Sequence, residues 1–267
     1  KITQAAAIHP LEAPDVDLGL QLPHRGALLR QDIMQVAHAL LLRRALGKGD
    51  QRFVFVLDAD SSLALAFVSA FAPWVKRERA DIVVVQFDKH QSNDQRNVLV
   101  AEGKEQLEIE TGITRSAWAA LGTEEALQRT DEAIERILLS QPLGAPFEWP
   151  FHTKSEPHRR IRIMTDRPSM PPDRRARLMR LATLRSVDAY FHKVRSNIRF
   201  AARPGRTPSS NDRAWDRHYL YNPETMMKVI EIYRFVHNWM GSSRTKTTPA
   251  MELGLARGKM LERDFFA

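Results

Sequence analysis

The strongest constraint on the fold comes from two short apolar runs built alike. Arg52–Leu57 (RFVFVL) and Ile82–Phe87 (IVVVQF) are strand-length and rich in β-branched and aromatic residues, and an acid ends each of them, Asp58 and Asp88. Between them Leu63, Phe67, Phe71 and Val75 recur at four-residue spacing, the period of one helical face, with Ser61 or Ser62 available as its cap. Upstream, Leu29, Ile33, Val36 and Leu40 predict a helix over Leu28–Leu46 that Gly47 and Gly49 stop. Helix, strand, helix, strand in this order predicts an α/β unit with a mainly parallel sheet. Functional groups in such sheets gather beyond the carboxyl ends of the strands, where Asp58, Asp60 and Asp88 fall.

The rest of the chain reads as additions to that unit. Residues 10–25 are proline-bearing and irregular. Residues 94–140 read as helical and acidic, with Glu124, Glu125, Asp131, Glu132 and Glu135 on exposed faces. Over 147–165 a short hairpin or extended segment is expected, because Arg160–Met164 alternates at strand period. The span from about 90 to 170 is therefore read as an insertion, closed by the proline-rich Arg167–Pro172. A long helix follows from Asp173 to about Arg199, then a loop over 201–222 rich in Arg, Pro, Ser and Asn. Asn222-Pro223-Glu224 is a cap with proline at the first helical position, and its helix runs to Met240, burying Met227, Ile230, Tyr233 and Phe235. The expected division is 1–90 for the first part of the α/β core, 91–172 for a mostly helical insertion and 173–267 for C-terminal helices with a basic loop.

Charge separates the two halves. Residues 151–267 carry 24 Lys and Arg against 11 Asp and Glu, whereas residues 1–150 carry 16 against 21. Most of that positive charge is arginine, and a one-sided basic field suits a polyanion such as DNA or RNA. A solvated cationic surface without a specific partner is the plainer alternative. The absence of cysteine removes disulfides, thiolate metal sites and Cys nucleophiles, and suits a reducing cytoplasm. No apolar run reaches the roughly 18 residues of a membrane span, so no membrane partner is expected.

Three acids are candidates for metal chemistry. In the predicted helix 173–199, Leu181, Leu184, Phe191 and Ile198 form an apolar stripe with Asp188 at its edge. An acid in such a place needs a partner, and a divalent cation is one. His192, Arg195 and Arg199 follow Asp188 by four, seven and eleven residues on the same side, as a row of phosphate contacts. The alternative is a surface pair of Asp188 with Arg195 or Arg185. Asp58 has a second reading, because it or Asp60 could cap the next helix, and Asp88 has one as a turn residue before His90 and Ser92. Carboxylates from a strand end and a helix edge are what two Mg²⁺ ions require when they activate water or a 3′-hydroxyl.

Ser186–Arg203 (SVDAYFHKVRSNIRFAAR) resembles the third-acid helix of the DDE transposases. Tyr221–Trp239 (YNPETMMKVIEIYRFVHNW) and Thr248–Ala256 (TPAMELGLA) resemble the C-terminal end of many bacterial insertion-sequence transposases. The likeness is strongest over 180–260, compatible over 26–90 and without a motif match over 90–170. It implies an RNase H-like core and two-metal cleavage and transfer of DNA strands at insertion-sequence ends, with Mg²⁺ or Mn²⁺. Asp58 would be the second acid and Asp188 the third, where the family usually has Glu. Arg195 matches a DNA-contacting position, and His192, Arg199, Arg203 and Arg206 extend the contact to double-stranded DNA. The resemblance further implies a homo-oligomer on DNA in a bacterial cytoplasm. It places a first acid and a DNA-binding module ahead of Lys1, without which the chain is expected to be inactive alone. A catalytically decayed DNA-binding relative is the other expectation.

Overall fold

The central strand of the sheet is buried on both faces, and the sequence shows why. In a computed structural model describing residues 31–47, 51–88, 90–198, 201, 206–207, 210–213, 222–242 and 245–266, the run Ala80–Gln86 forms β2, with apolar side chains at consecutive positions. Ala80 and Ile82 enter one core, while Val83 and Val85 enter another on the opposite face. A strand with two buried faces reads as an unbroken apolar run. Phe53–Asp58 forms β1 and pairs parallel to β2, Asp58 lying opposite Val85. On the other side of β2, Arg160–Ile163 (β4) pairs antiparallel, and Phe147–Glu148 (β3) pairs antiparallel with β4. The order is β1-β2-β4-β3.

The fold class is therefore α/β with a mixed sheet, not a mainly parallel one. The hairpin expected within an insertion instead extends the main sheet. Its alternation explains this, since Ile161 and Ile163 point into the core beside Val83 and Val85 while Arg160 and Arg162 stay exposed. Residues 91–172 thus share the core of Val83 and Val85 with β2.

Helices cover both faces. Gln31–Ala45 (α1) and Ser61–Lys76 (α2) lie with the first core, in which Phe67, Phe71 and Trp74 meet Phe53 and Phe55. The α2 face is the expected one. The α1 face is not: Ile33, Val36 and Leu40 are exposed, and Ala39, Leu42 and Leu46 pack inward. The apolar residues of Ala39–Leu42 occupy consecutive positions, so their spacing leaves the inward face open. Small Ala39 joins the small Ala66 and Ala70 in that core, and Arg43 Nη1 donates to Ala70 O at 2.6 Å.

On the opposite face lie Thr123–Leu138 (α5) and Pro172–Leu181 (α6), preceded by Asn93–Thr111 (α3) and Arg115–Ala120 (α4). Asp131 and Arg180 tie α5 to α6 through bonds of 2.6 and 3.0 Å. Buried Asp81 at the start of β2 holds Arg174 of α6 at 2.5 Å.

The chain forms two compact units, Lys1–Leu184 and Arg185–Ala267. The predicted single helix over 173–199 breaks at Ala182-Thr183-Leu184, between α6 and Arg185–Asn197 (α7). Glu156 explains the break, because its buried Oε1 accepts from Thr183 Oγ1 and from Leu184 N, both at 2.7 Å. The second unit continues with a small hairpin, Arg206–Thr207 (β5) and Ser210–Arg213 (β6), in a stretch expected to be a loop. Pro223–Phe235 (α8) follows, extended by a π-turn at Val236–Met240, then Pro249–Glu252 (α9) and Glu262–Phe266 (α10). Asn222 caps α8 as its sequence predicts, accepting from Glu224 N at 2.9 Å. Met227, however, is 67% exposed. Within this unit the Tyr233 and His237 rings stack, and the Tyr190 ring packs against both at a tilt.

Candidate active-site cleft

At the carboxyl edge of the parallel pair lies an open cleft of about 680 Å³ lined by Asp58, Gln86, Asp88, His90, His158 and Arg160, among others. The β-α-β order creates it. Parallel strands β1 and β2 end side by side, so the connections that leave them both begin at this one edge of the sheet. Asp58 is the last residue of β1 and Asp88 lies two residues beyond β2. The register that pairs Gln86 with Arg160 brings a guanidinium to the same edge.

Asp60, not Asp58, caps α2. Its Oδ1 accepts from Leu63 N at 2.9 Å and from Ser62 Oγ at 2.6 Å. The Ser62 hydroxyl, then the Leu63 amide, hold the Asp60 carboxyl below the usual carboxylate range. Asp58 is exposed, and its Oδ1 accepts from Ala59 N at 2.9 Å. Asp88 is fixed more firmly, accepting from His90 N on Oδ1 and from Gln91 Nε2 on Oδ2, each at 2.8 Å. The His90 amide, then the Gln91 amide group, lower its pKa, so Asp88 presents an oriented anion.

The other site residues read from the sequence belong to the second unit or lie outside the described residues. Asp188 stands in the first turn of α7 and is exposed. The apolar stripe that was to hold it does not form. Phe191 is 50% exposed while Val194 and Ile198 are buried, since the break before α7 separates Leu181 from the residues below it. Asp188 therefore lacks the half-buried setting that would call for a metal partner. His192 is exposed and Arg195 half-buried on the same helix. Arg199 and Arg203 lie outside the described residues, and Arg206 opens β5 opposite Arg213.

Sequence reading missed His158 and Arg160 as cleft residues. The signal was present in the alternation of Arg160–Met164, which sets Arg160 and Arg162 off the core face, but not the pairing partner of that strand. A further group, Glu148, His152 and His158, stands on the β3–β4 connection, with His158 Nδ1 and Glu148 Oε1 2.9 Å apart. Burial, then the charge of His158, pushes the His152 imidazole below the ordinary histidine value.

The C-terminal motif has a structural explanation. Buried Thr248 caps α9 by accepting from Met251 N at 3.3 Å, Pro249 takes the first helical position, Ala250 is buried, and Gly254 adopts φ +70°. These TPAMELGLA residues build a helix with both ends closed. Among the described residues no helix is long and apolar enough to cross a membrane. No protein-family model, curated protein or solved structure matches the chain significantly.

Proposed function

We propose that this protein is a metal-dependent DNA strand-cleaving and strand-transferring enzyme of the DDE transposase kind, with an RNase H-like core. The observation that carries the reading is the pair of carboxylates at the ends of adjacent parallel strands, Asp58 and Asp88, along one polar cleft. Cleft-lining acids of this type suit hard divalent cations, which take oxygen donors and keep several waters. The cleft is open enough to admit hydrated ions and a phosphodiester. Asp58 is exposed, and the two hydrogen bonds of Asp88 leave further lone pairs on both oxygens.

In this reading Asp58 and Asp188 are metal ligands, and Asp88 adds a fixed negative charge beside Asp58. Paired Mg²⁺ or Mn²⁺ supply charge neutralisation at the phosphoryl group and an activated oxygen nucleophile. Arg160 borders the same cleft and holds the scissile phosphate by charge and hydrogen bonding, beside the wall that His158 forms. His192, Arg195, Arg199, Arg203 and Arg206 contact the duplex backbone, which fits the basic second half of the chain. Insertion-sequence ends and a target duplex are the partners, a homo-oligomer on DNA the assembly, and the bacterial cytoplasm the location.

The test is Mn²⁺-dependent cleavage of an insertion-sequence-end duplex by the complete product of the reading frame. Asp58→Ala and Asp188→Ala are expected to abolish cleavage while DNA binding persists. Unchanged cleavage in either variant refutes the ligand assignment. DNA binding without cleavage by the wild type supports the decayed DNA-binding relative instead.

A further inference from the structure

The β3–β4 connection carries a donor set unlike that of the cleft. Glu148 ends β3, His152 lies within the loop, and His158 comes two residues before β4. One donor atom from each lies within 4.8 Å of the others, and the two imidazole rings are 5.1 Å apart. His152 Nδ1 is buried with no hydrogen-bond partner among the described residues. A buried polar atom without a partner is costly.

The loop is held in place from several sides. Trp149 N donates to Arg159 O at 2.8 Å, and the Arg159 guanidinium sits 4.2 Å from the centre of the Trp149 ring. Arg159 Nη1 also donates to buried Glu156 at 3.0 Å. From α3, Gly103 comes so close that a Cβ there would lie 2.4 Å from His152 N. His158 takes φ +47°, a left-handed backbone conformation that residues with a Cβ rarely adopt. Strain of this kind persists only where the surroundings over-determine it. Here it holds the His158 ring against Glu148.

We propose that Glu148, His152 and His158 form a binding site for a zinc-class divalent transition-metal ion. Two imidazoles and one carboxylate are the donors of Zn²⁺, Co²⁺ or Ni²⁺ sites rather than of Mg²⁺ or Ca²⁺ sites, which take oxygen. Zinc bonds to such donors at about 2.0–2.2 Å. A bound ion would draw the three donor atoms closer together than their present spacing. Three protein ligands leave the fourth position open, and the partly exposed Glu148 and His158 give water access to it. The ion would replace the missing partner of His152 and cross-link both ends of the hairpin loop. Because His158 also lines the Asp58 cleft, the same ion would stiffen one wall of that cleft. None of this depends on the transposase reading.

The experiment is calorimetric titration of the purified protein with Zn²⁺, and optical titration with Co²⁺, both in millimolar Mg²⁺. One saturable site per chain that Mg²⁺ does not displace is expected, with the visible absorption of low-coordinate Co²⁺. Glu148→Gln and His158→Asn are each expected to weaken Zn²⁺ binding by at least about tenfold. Asparagine is chosen because it tolerates the left-handed backbone, and the exposed position of Glu148 keeps its variant folded. Asp58→Ala is expected to retain the site, which separates this proposal from the cleft assignment. No saturable Zn²⁺ site, or one unchanged in both Glu148→Gln and His158→Asn, overturns the proposal.

Discussion

The two compact units solve the problem of burial differently. In the first, two apolar cores flank β2, and Asp81, Glu156 and Arg159 are buried as polar anchors. In the second, Val194, Ile198, Thr248 and Ala250 are the buried residues among those described, and helix caps and ring stacking carry much of the order. Yet the second unit holds the motifs that resemble a transposase, and the first holds the cleft. Much of the motif resemblance therefore reports how short helices begin and end. The cleft arises from strand order, which no short motif records.

Substitutions separate these two modes of stabilisation. The largest effect is expected from Glu156→Ala, which leaves Arg159 buried without its carboxylate and removes the acceptor at Thr183 and Leu184. Breaking a buried pair in this way costs about 3–5 kcal/mol, measurable by urea unfolding. Gly103→Ala follows, because its Cβ would meet the His152 backbone at 2.4 Å. Overpacking of that kind costs about 1–3 kcal/mol. A neutral result there would show that α3 and the hairpin loop separate easily, weakening the account of a preset loop. In the second unit Thr248→Ala removes a cap and is expected to cost about 1 kcal/mol. A loss as large as that of Glu156→Ala would erase the contrast between the units.

Asp60 sharpens the comparison through pH. The Ser62 hydroxyl and the Leu63 amide lower its folded pKa, so its contribution is present above the unfolded value near 3.9 and fades as pH falls through the lower folded value. Asp60→Asn keeps a good cap at neutral pH and is expected to flatten the acid limb of stability below about pH 4. Thermal unfolding of both proteins from neutral to acid pH measures this. The smallest effect is expected from Asp188→Asn, an exposed change within about 0.5 kcal/mol of wild type. It isolates any loss of activity from loss of fold.

How far residues alone disclose this arrangement depends on the range of the interaction. The strands at Phe53 and Ala80, the inward face of α2 and the Asn222 cap follow from local period and local hydrogen bonding. The antiparallel addition of β4 does not, because its partner lies more than 70 residues away in sequence. The break before α7 hides for the same reason, since it is made by Glu156 and not by proline or glycine. Without that break, Asp188 appears beside a buried stripe that the folded chain does not form. Asp58 and Asp88 were identifiable as strand-end acids. The cleft they share with His158 and Arg160 needed the sheet order.

The most direct test of the central claim replaces Mg²⁺ with Fe²⁺ in the DNA-bound protein and maps where hydroxyl radicals made at the metal cut the polypeptide. Cuts are expected beside both Asp58 and Asp188, suppressed by excess Mg²⁺ and removed from both places by Asp58→Ala. Cuts at neither position, or beside one acid alone, would contradict the claim.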